Sequence, residues 1–519
     1  MDDCTLLTPS PTAATASRGQ ISLYREPLRV AIIVENFLPQ VDGSTLTIAS
    51  LLQHLNAMGV QGMLFGPESG MIEYAGANLF GTFGLPMPAY PGLKVNFISP
   101  AFIHALRKFA PHVIHLVDPI CLGVQALAAA ALLFPSTPVV TSYHTNLAAY
   151  AAVFGYPCYP HRAWQVNAYL HSFARCTLVP SASTAKLLEE RRFANLRVIS
   201  RGVDISSFKS SLRSVSLREK WAATAASHSA LFPETTSPGL DPVIILFVGR
   251  LSREKNLCFL IDAVAALPLC SRGRSILVFV GDGPYRRGLE ERCAAAGVRA
   301  VFMGHLSGQG LGEAFASGDI MVAPSLTETS GQATLQGMAA GLAVAGLLAE
   351  GTADLVVHGH TGLLLDIVAA EEGRPWAPCM PLGPDARVLG WGEAAPLLAK
   401  NIEPLTERFA CILEVLIRDE PLRCRMGRAG AQAARGGAYE WTSCSRRVVE
   451  AYGEAVGAIP LVNVKLPSQS SLLPAAIYAL LDAAVVLLAL GLALLSHAAY
   501  FVPTARDLRE RGWWGGSGQ

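Results

Sequence analysis

Four stretches of this chain place charged or glycine-containing turns where apolar runs end, and each has a chemistry of its own. In VGRLSREKNLCFLIDAV, Arg250 follows Gly249 at the end of such a run, and Lys255 stands near the start of the next helical pattern. Two cations at one sheet edge can neutralise a diphosphate without a metal; a basic loop in solvent would look the same. In PSLTETSGQATLQGMAAG (324–341), Glu328 lies in a polar turn, Ser330-Gly331 follows, and Gln336 comes eight positions after the carboxylate. Glu328 can accept hydrogen bonds from two neighbouring hydroxyls, and Gly331 exposes backbone N–H groups where a helix begins. Nearer the N-terminus, Asp42-Gly43-Ser44 opens a helix whose N–H groups an anion could approach, although an ordinary helix start explains it equally well. His144, in SYHTNLAAY, stands at a strand end facing an expected interdomain cleft, where a structural and a functional histidine are about equally expected. His115 and Asp118 in HLVDP resemble a metal pair only loosely and read as structural. No Ser-His-Asp set, DxD or HExxH motif is present, and no metal site is expected.

The elements that must hold these residues are legible as alternation. Runs at 29–37, 112–117, 138–145, 176–181 and 196–204 are short, apolar and rich in β-branched residues, with helical patterns such as 44–58 and 162–175 between them. The pattern restarts at 243–251, 275–283, 299–305, 319–325 and 342–348, with GDGP (281–284) after one run and GHTGLLLD (359–366) leading into a last strand. Continuous apolar strands separated by helices predict parallel sheets covered on both faces. Ligands of such sheets bind beyond the carboxyl ends of the strands. Two Rossmann-like domains are expected, at 28–208 and 241–438, joined by a polar linker with some local helix at 209–240. Residues 369–400, rich in Pro and Gly, read as a surface insertion before a helix at 401–418.

Composition agrees with that plan. A chain of 519 residues is too long for one core, 51% of it is apolar, and its net charge is +1. No basic excess points to nucleic acid. The eleven cysteines are scattered without metal-ligand spacing, as free thiols in a reducing compartment would be. Residues 1–27, rich in Ser, Thr, Pro and Ala, read as a disordered tail without the features of a signal peptide. Residues 475–502 are apolar apart from Asp482, Ser496 and His497, a longer run than the roughly 20 residues that cross a bilayer. Arg506, Arg509 and Arg511 follow it, so a cytoplasmic tail is expected, with the run as a membrane helix or hairpin.

Together these residues resemble glycosyltransferase family four, whose members are retaining enzymes of GT-B fold. The resemblance spans roughly 29–455 and rests on Gly249-Arg250 with Lys255, on Gly281–Pro284, and on the Glu328 turn from Pro324 to Gly341. The DG turn, SYHTNLAAY, PSASTAKLL and RGVDISSF are similar to the branch that contains sulfoquinovosyltransferases and GDP-mannose-dependent mannosyltransferases. YEW (439–441) precedes the helix, 439–458, that in such folds crosses back to the N-terminal domain. The resemblance implies an α/β, GT-B hexosyltransferase with a nucleotide sugar as substrate, no cofactor, and a lipid or glycan acceptor. It implies that Arg250 and Lys255 bind the diphosphate and Glu328 the sugar hydroxyls, with Ser330 and Gly331 beside it. Gln336 would meet the ribose, Gly43 the phosphates from the other domain, and His144 would line the transfer site. The chain departs from the family pattern at Gln336, where a second Glu is usual, and at Ser330, where an aromatic is usual. A non-catalytic nucleotide-sugar-binding or scaffold protein is the alternative. Membrane-associated catalytic domains in the cytoplasm are the expected location.

Overall fold

A computed structural model describes residues 27–39, 43–86, 94–149, 160–227, 241–374, 377–383 and 386–457. The N-terminal tail, Asp42, most of the second half of the expected linker and the 475–502 run lie outside the described residues. Among the described residues, no helix is long and apolar enough to cross a membrane.

The first half contributes β1 (Arg29–Val34), β2 (Gln61–Pro67), β3 (Glu73–Tyr74), β4 (Ala77–Thr82), a hairpin of β5 (Gly84–Pro86) and β6 (Lys94–Asn96), then β7 (Val113–Val117), β8 (Val139–Ser142), β9 (Cys176–Val179) and β10 (Leu196–Val198). Eight of these strands form one sheet in the order β10-β9-β8-β7-β1-β2-β4-β3, parallel except at β3. Side chains alternate across β1. Val30, Ile32 and Val34 join one core cluster with Ile48 and Leu52 of the first helix (Gly43–Ala57), while Ala31 and Ile33 join Phe65, Phe102 and Leu116 on the other face. At the end of β1, Glu35 accepts four backbone N–H bonds, from Ile120, Cys121, Leu122 and Gly123, at the start of the helix Leu122–Leu133. A carboxylate suits the positive end of that helix and fixes the β1 edge against the β7 edge.

The second half repeats the arrangement with β11 (Val243–Val248), β12 (Ser275–Val280), β13 (Ala300–Phe302), β14 (Ile320–Ala323), β15 (Ala343–Leu347) and β16 (Gly362–Leu365). The order β13-β12-β11-β14-β15-β16 is parallel throughout, and both faces are covered. Two stretches pack more closely onto the second domain than a linker and a surface insertion would. Within 209–240, Ser210–Leu212 and the helix Val215–Ser227 fold onto the second sheet, because Trp221 is buried against Ile276 and Val278, and Asp319 pairs with both Arg213 and Arg218. Within 369–400, the helix Trp391–Lys400 buries Ala394 and Leu398 in the core of the second sheet. An amphipathic stripe, and not the Pro and Gly content, decides that segment.

The last described helix, Trp441–Val456, returns to the first sheet. Val448, Ala451, Tyr452 and Ala455, spaced as one helical face, pack into the cluster that contains β1. Its start is pinned where Val203 N–H donates to Tyr439 O at 2.8 Å. Gly202 lies so close that a Cβ there would sit 2.5 Å from the Trp441 ring and 2.7 Å from its Cα. Gly202→Ala is therefore expected to cost about 1–3 kcal/mol by overpacking. Thermal unfolding checks this, and an unchanged midpoint would mean that the helix start is not held there.

Candidate active site

The carboxyl edge of the second sheet is built by two interlocked turns. Gly249 N–H donates to Val280 O at 2.9 Å and Leu251 N–H to Asp282 O at 3.0 Å. Gly281, with φ of +130°, passes so near that a Cβ would lie 2.0 Å from Gly249 O. Only glycine fits there, so the GDGP turn is a brace for the backbone that carries Arg250, which is exposed at the end of β11. Lys255 ends a short 3₁₀ turn, Arg253–Lys255. That turn is tied to the loop after β14 by Asn256 Nδ2 donating to Pro324 O at 3.2 Å and Ser325 Oγ to Glu254 O at 3.2 Å.

These ties bring Lys255 Nζ to 2.8 Å from Glu328 Oε2, with the side chains 18% and 23% exposed. Burial works to raise the Glu328 pKa. Lys255, then Arg201, then the Gly331 N–H outweigh it, and the carboxyl is held below its ordinary value. Gly331 caps the helix Gln332–Ala339 at φ of +64°, and a Cβ there would strike Leu355 at 2.6 Å. Beside it Ser330 is buried, and its Oγ has no hydrogen-bond partner among the described residues. Gln332 Nε2 reaches across to Gly202 O at 2.9 Å. Gln336, half-buried, follows four positions later on the same helix face.

The first domain supplies the facing wall. His144 is half-buried, its Nδ1 3.0 Å from Arg201 NH2 and its Nε2 2.9 Å from Ser142 Oγ. Burial, then Arg201, then His115 hold its pKa well below the ordinary histidine value, so the ring is neutral. Arg201 also donates from NH1 to Gly43 O at 3.2 Å. Asp118 accepts from the N–H groups of His144 and Thr145 and from the Thr145 hydroxyl, while burial pushes it up to about 6. A cavity of about 50 Å³ behind His144 is walled largely by apolar side chains, among them Ile48, Leu51, Trp441 and Val448. It is of the order of one or two water molecules, not of a sugar ring.

The structure thus gathers the expected site residues into two groups. Lys255, Glu328 and Gly331 touch, with Ser330 adjacent; His144 and Gly43 are joined by Arg201. Thr329 Oγ1, donating to His144 O at 2.9 Å, links the groups across the cleft. Gly249 and Arg250 stand on the β11 edge, and Gln336 lies along the helix that Gly331 caps. His115 and Asp118 bind neighbouring side chains and backbone, as structural residues do. Sequence reasoning gave no role to Arg201, although it sits inside RGVDISSF directly after a strand pattern. It also gave none to Gln332 or Thr329, whose partners come from the other domain.

Residues 41–207 match the family model described as Glycosyltransferase Family 4, and 242–372 match that described as Glycosyl transferases group 1. A GDP-mannose-dependent alpha-mannosyltransferase of Corynebacterium glutamicum is 32% identical over 356 residues, which are 68% of this chain and 80% of that one. The chain belongs to glycosyltransferase family four. The family-four enzyme is similar also to the sulfoquinovosyl transferase SQD2 of Arabidopsis thaliana, 32% identical over 350 residues, 66% of this chain and 64% of that one. Its fold matches the sucrose-phosphate synthase of Thermosynechococcus elongatus, with a TM-score of 0.61 at 18% identity over 83% of this chain and all of that one. It also matches HepE of Anabaena in complex with UDP and glucose, with a TM-score of 0.57 at 16% identity over 82% and 99%. This glycosyltransferase therefore has the GT-B fold, with two Rossmann-like domains.

Because the Glu328 pKa is depressed below the ordinary 4.5, its contribution to stability is full above that value and is lost as pH falls through the folded-state pKa. In Lys255→Met the largest opposing charge is gone and burial gains weight. Acid unfolding should then begin at a higher pH than in the wild type, with a stability loss near neutrality of roughly 1–3 kcal/mol. Coincident acid transitions in the two proteins would contradict the assigned pairing.

Proposed function

We propose that this glycosyltransferase moves a hexosyl unit from a nucleoside-diphosphate sugar to a lipid hydroxyl, with retention and without a divalent ion. The observation that carries the reading is the Lys255–Glu328 contact at the second sheet's carboxyl edge, linked through Thr329 to the His144–Arg201 wall. On this reading Arg250 and Lys255 take the diphosphate and offset the charge that grows on it as the C1–O bond breaks. Glu328 accepts from the sugar hydroxyls, and the Gly331 N–H stands at the helix start beside it. Gln336 meets the ribose as a neutral amide, a weaker bond than the charged one a glutamate would make. Gly43 approaches the phosphates from the first domain. The acceptor oxygen bonds to C1 on the face the phosphate leaves, and the departing phosphate oxygen takes the acceptor's proton. His144 lines the transfer site without exchanging a proton, since both ring nitrogens are engaged.

The relatives favour both GDP-mannose and sulfoquinovosyl donors at equal identity, so the donor is chosen by assay. The lipid acceptor is supported by the 475–502 run, which would hold the cleft near a bilayer with the catalytic domains in the cytoplasm. A non-catalytic scaffold gains no support from an intact Lys255–Glu328 pair.

The test is transfer from radiolabelled GDP- and UDP-sugars to lipid extracts by membranes containing the full chain. One donor should be turned over, EDTA should leave the rate intact, and Arg250→Ala should lower it by at least about a hundredfold, as loss of a transition-state charge partner does. Loss of activity on chelation, restored by Mg²⁺ or Mn²⁺, would overturn the metal-free mechanism.

A further inference from the structure

The geometry points to the β5–β6 ribbon of the first domain as a membrane-docking face, which sets its apolar side chains into the surface of a lipid bilayer and turns that domain's side of the cleft towards the lipid. The inference deepens the proposed transfer to a lipid hydroxyl and rests on it.

Register decides which side chains share a face. The two strands run antiparallel, with Gly84 opposite Asn96, Leu85 opposite Val95 and Pro86 opposite Lys94. Phe97 N–H donates to Phe83 O at 2.9 Å and carries the pairing one step further. Successive side chains of a strand alternate, so Phe83, Leu85, Val95 and Phe97 stand together on one face. All four are apolar. Phe83 is 66% exposed, Leu85 52% and Phe97 40%, and Val95 is half-buried. The other face is fixed to the domain through Asn96, which is fully buried. Its Nδ2 donates to Glu35 O at 3.2 Å, and Gln125 Nε2 donates to Asn96 O at 3.0 Å. Gln125 Oε1 in turn accepts from Ile98 N–H at 3.0 Å. These bonds hold the ribbon to the carboxyl edge of the first sheet with its apolar face outward. Large apolar side chains held in water in this way cost free energy that a partner recovers.

Charge and position select a lipid surface as that partner. From Tyr74 to Val117 the sequence has no Asp or Glu, and its Lys and Arg residues are Lys94, Arg107 and Lys108, all exposed. An apolar face in a stretch with cations and without carboxylates suits the phosphate-bearing boundary of a bilayer, where apolar side chains enter the acyl region and bases stay with the headgroups. The ribbon's anchor, Glu35, follows β1, and His144 follows β8, two places away in the order β8-β7-β1. At the spacing of neighbouring strands that is about 10 Å along the edge. It is less than the roughly 15 Å of hydrocarbon in one leaflet, so a lipid seated by the ribbon has its polar end within reach of the transfer site.

The test replaces Phe83 by 4-fluorophenylalanine in the full chain and records ¹⁹F NMR with vesicles of phosphatidylcholine and phosphatidylglycerol. Nitroxide-labelled lipids in the vesicles should broaden this resonance, and an aqueous gadolinium chelate that broadens it in free solution should lose that effect when vesicles are added. The same label in place of Leu269, exposed on the second domain, should stay sharp with the nitroxide lipids and open to the chelate. A Phe83 resonance that the chelate still reaches on vesicles would overturn the proposal. So would one shielded from chelate and nitroxide alike, as a second copy of the chain or another protein surface would shield it. Phe83→Ser combined with Leu85→Ser should keep the thermal midpoint, since both side chains are exposed. It should raise the half-saturating concentration of vesicle-borne lipid extract by about tenfold, with donor KM within about twofold. An unchanged lipid dependence would also contradict the docking face. If the wild type transfers sugar to no lipid, the transfer reading fails by itself, while the fluorine spectrum still decides whether the ribbon enters the bilayer.

Discussion

A carboxylate must stay ionised in a half-buried cleft between two domains, and much of the local architecture follows from that demand. Burying Glu328 disfavours its charge, and an isolated buried carboxylate would take up a proton. Lys255 at 2.8 Å supplies the nearest compensation, and Lys255 is there because Asn256 and Ser325 stitch the 3₁₀ turn to the loop after β14. The loop's own backbone is fixed from the next strand connection, where Gly351 N–H donates to Glu328 O at 2.7 Å. Gly351 must be this small, since a Cβ would sit 2.5 Å from that same oxygen. Ion pair, turn and glycine are one construction.

The same loop joins the two domains. Thr184 Oγ1 donates to Thr329 O at 3.2 Å, Thr329 Oγ1 to His144 O, and Gln332 Nε2 to Gly202 O. Nearby, Asp354 accepts from the Ser183 N–H and hydroxyl at the start of the helix Ala182–Glu190. Each bond is individually modest, about 0.5–1.5 kcal/mol between neutral groups and about 1.5–3 kcal/mol to the Asp354 carboxylate, and each involves a side chain. Such an interface can hold one domain against the other and still release it, which a cleft that admits a nucleotide and discharges a product requires.

How much of this could be read in advance varies with range. Continuous apolar runs rich in β-branched residues located most strands of both sheets, and the polar turn after one of them located Glu328, because strand burial and turn chemistry are local properties. The strands β2 and β4 escaped notice, since Gln61–Pro67 and Ala77–Thr82 are broken by Gly and polar residues. The packing of the helix Val215–Ser227 was hidden because its alanines and charges give little periodic signal; its anchors are Trp221, Ala225 and the Arg218–Asp319 pair. Arg201 was out of reach for another reason. Its partners lie at sequence positions 43 and 144, and no spacing rule joins residues that only the closed fold brings together.

In the proposed mechanism Glu328 touches the transferred sugar and not the nucleotide. Calorimetric titration separates these if a nucleoside diphosphate and the matching nucleotide sugar are each titrated into wild type and Glu328→Gln. With Glu328 on the sugar, the diphosphate binds both proteins alike, while the nucleotide sugar loses about tenfold in affinity in the variant, the worth of one charge-assisted hydrogen bond. Equal weakening of both ligands would place Glu328 at the phosphates and contradict the assignment.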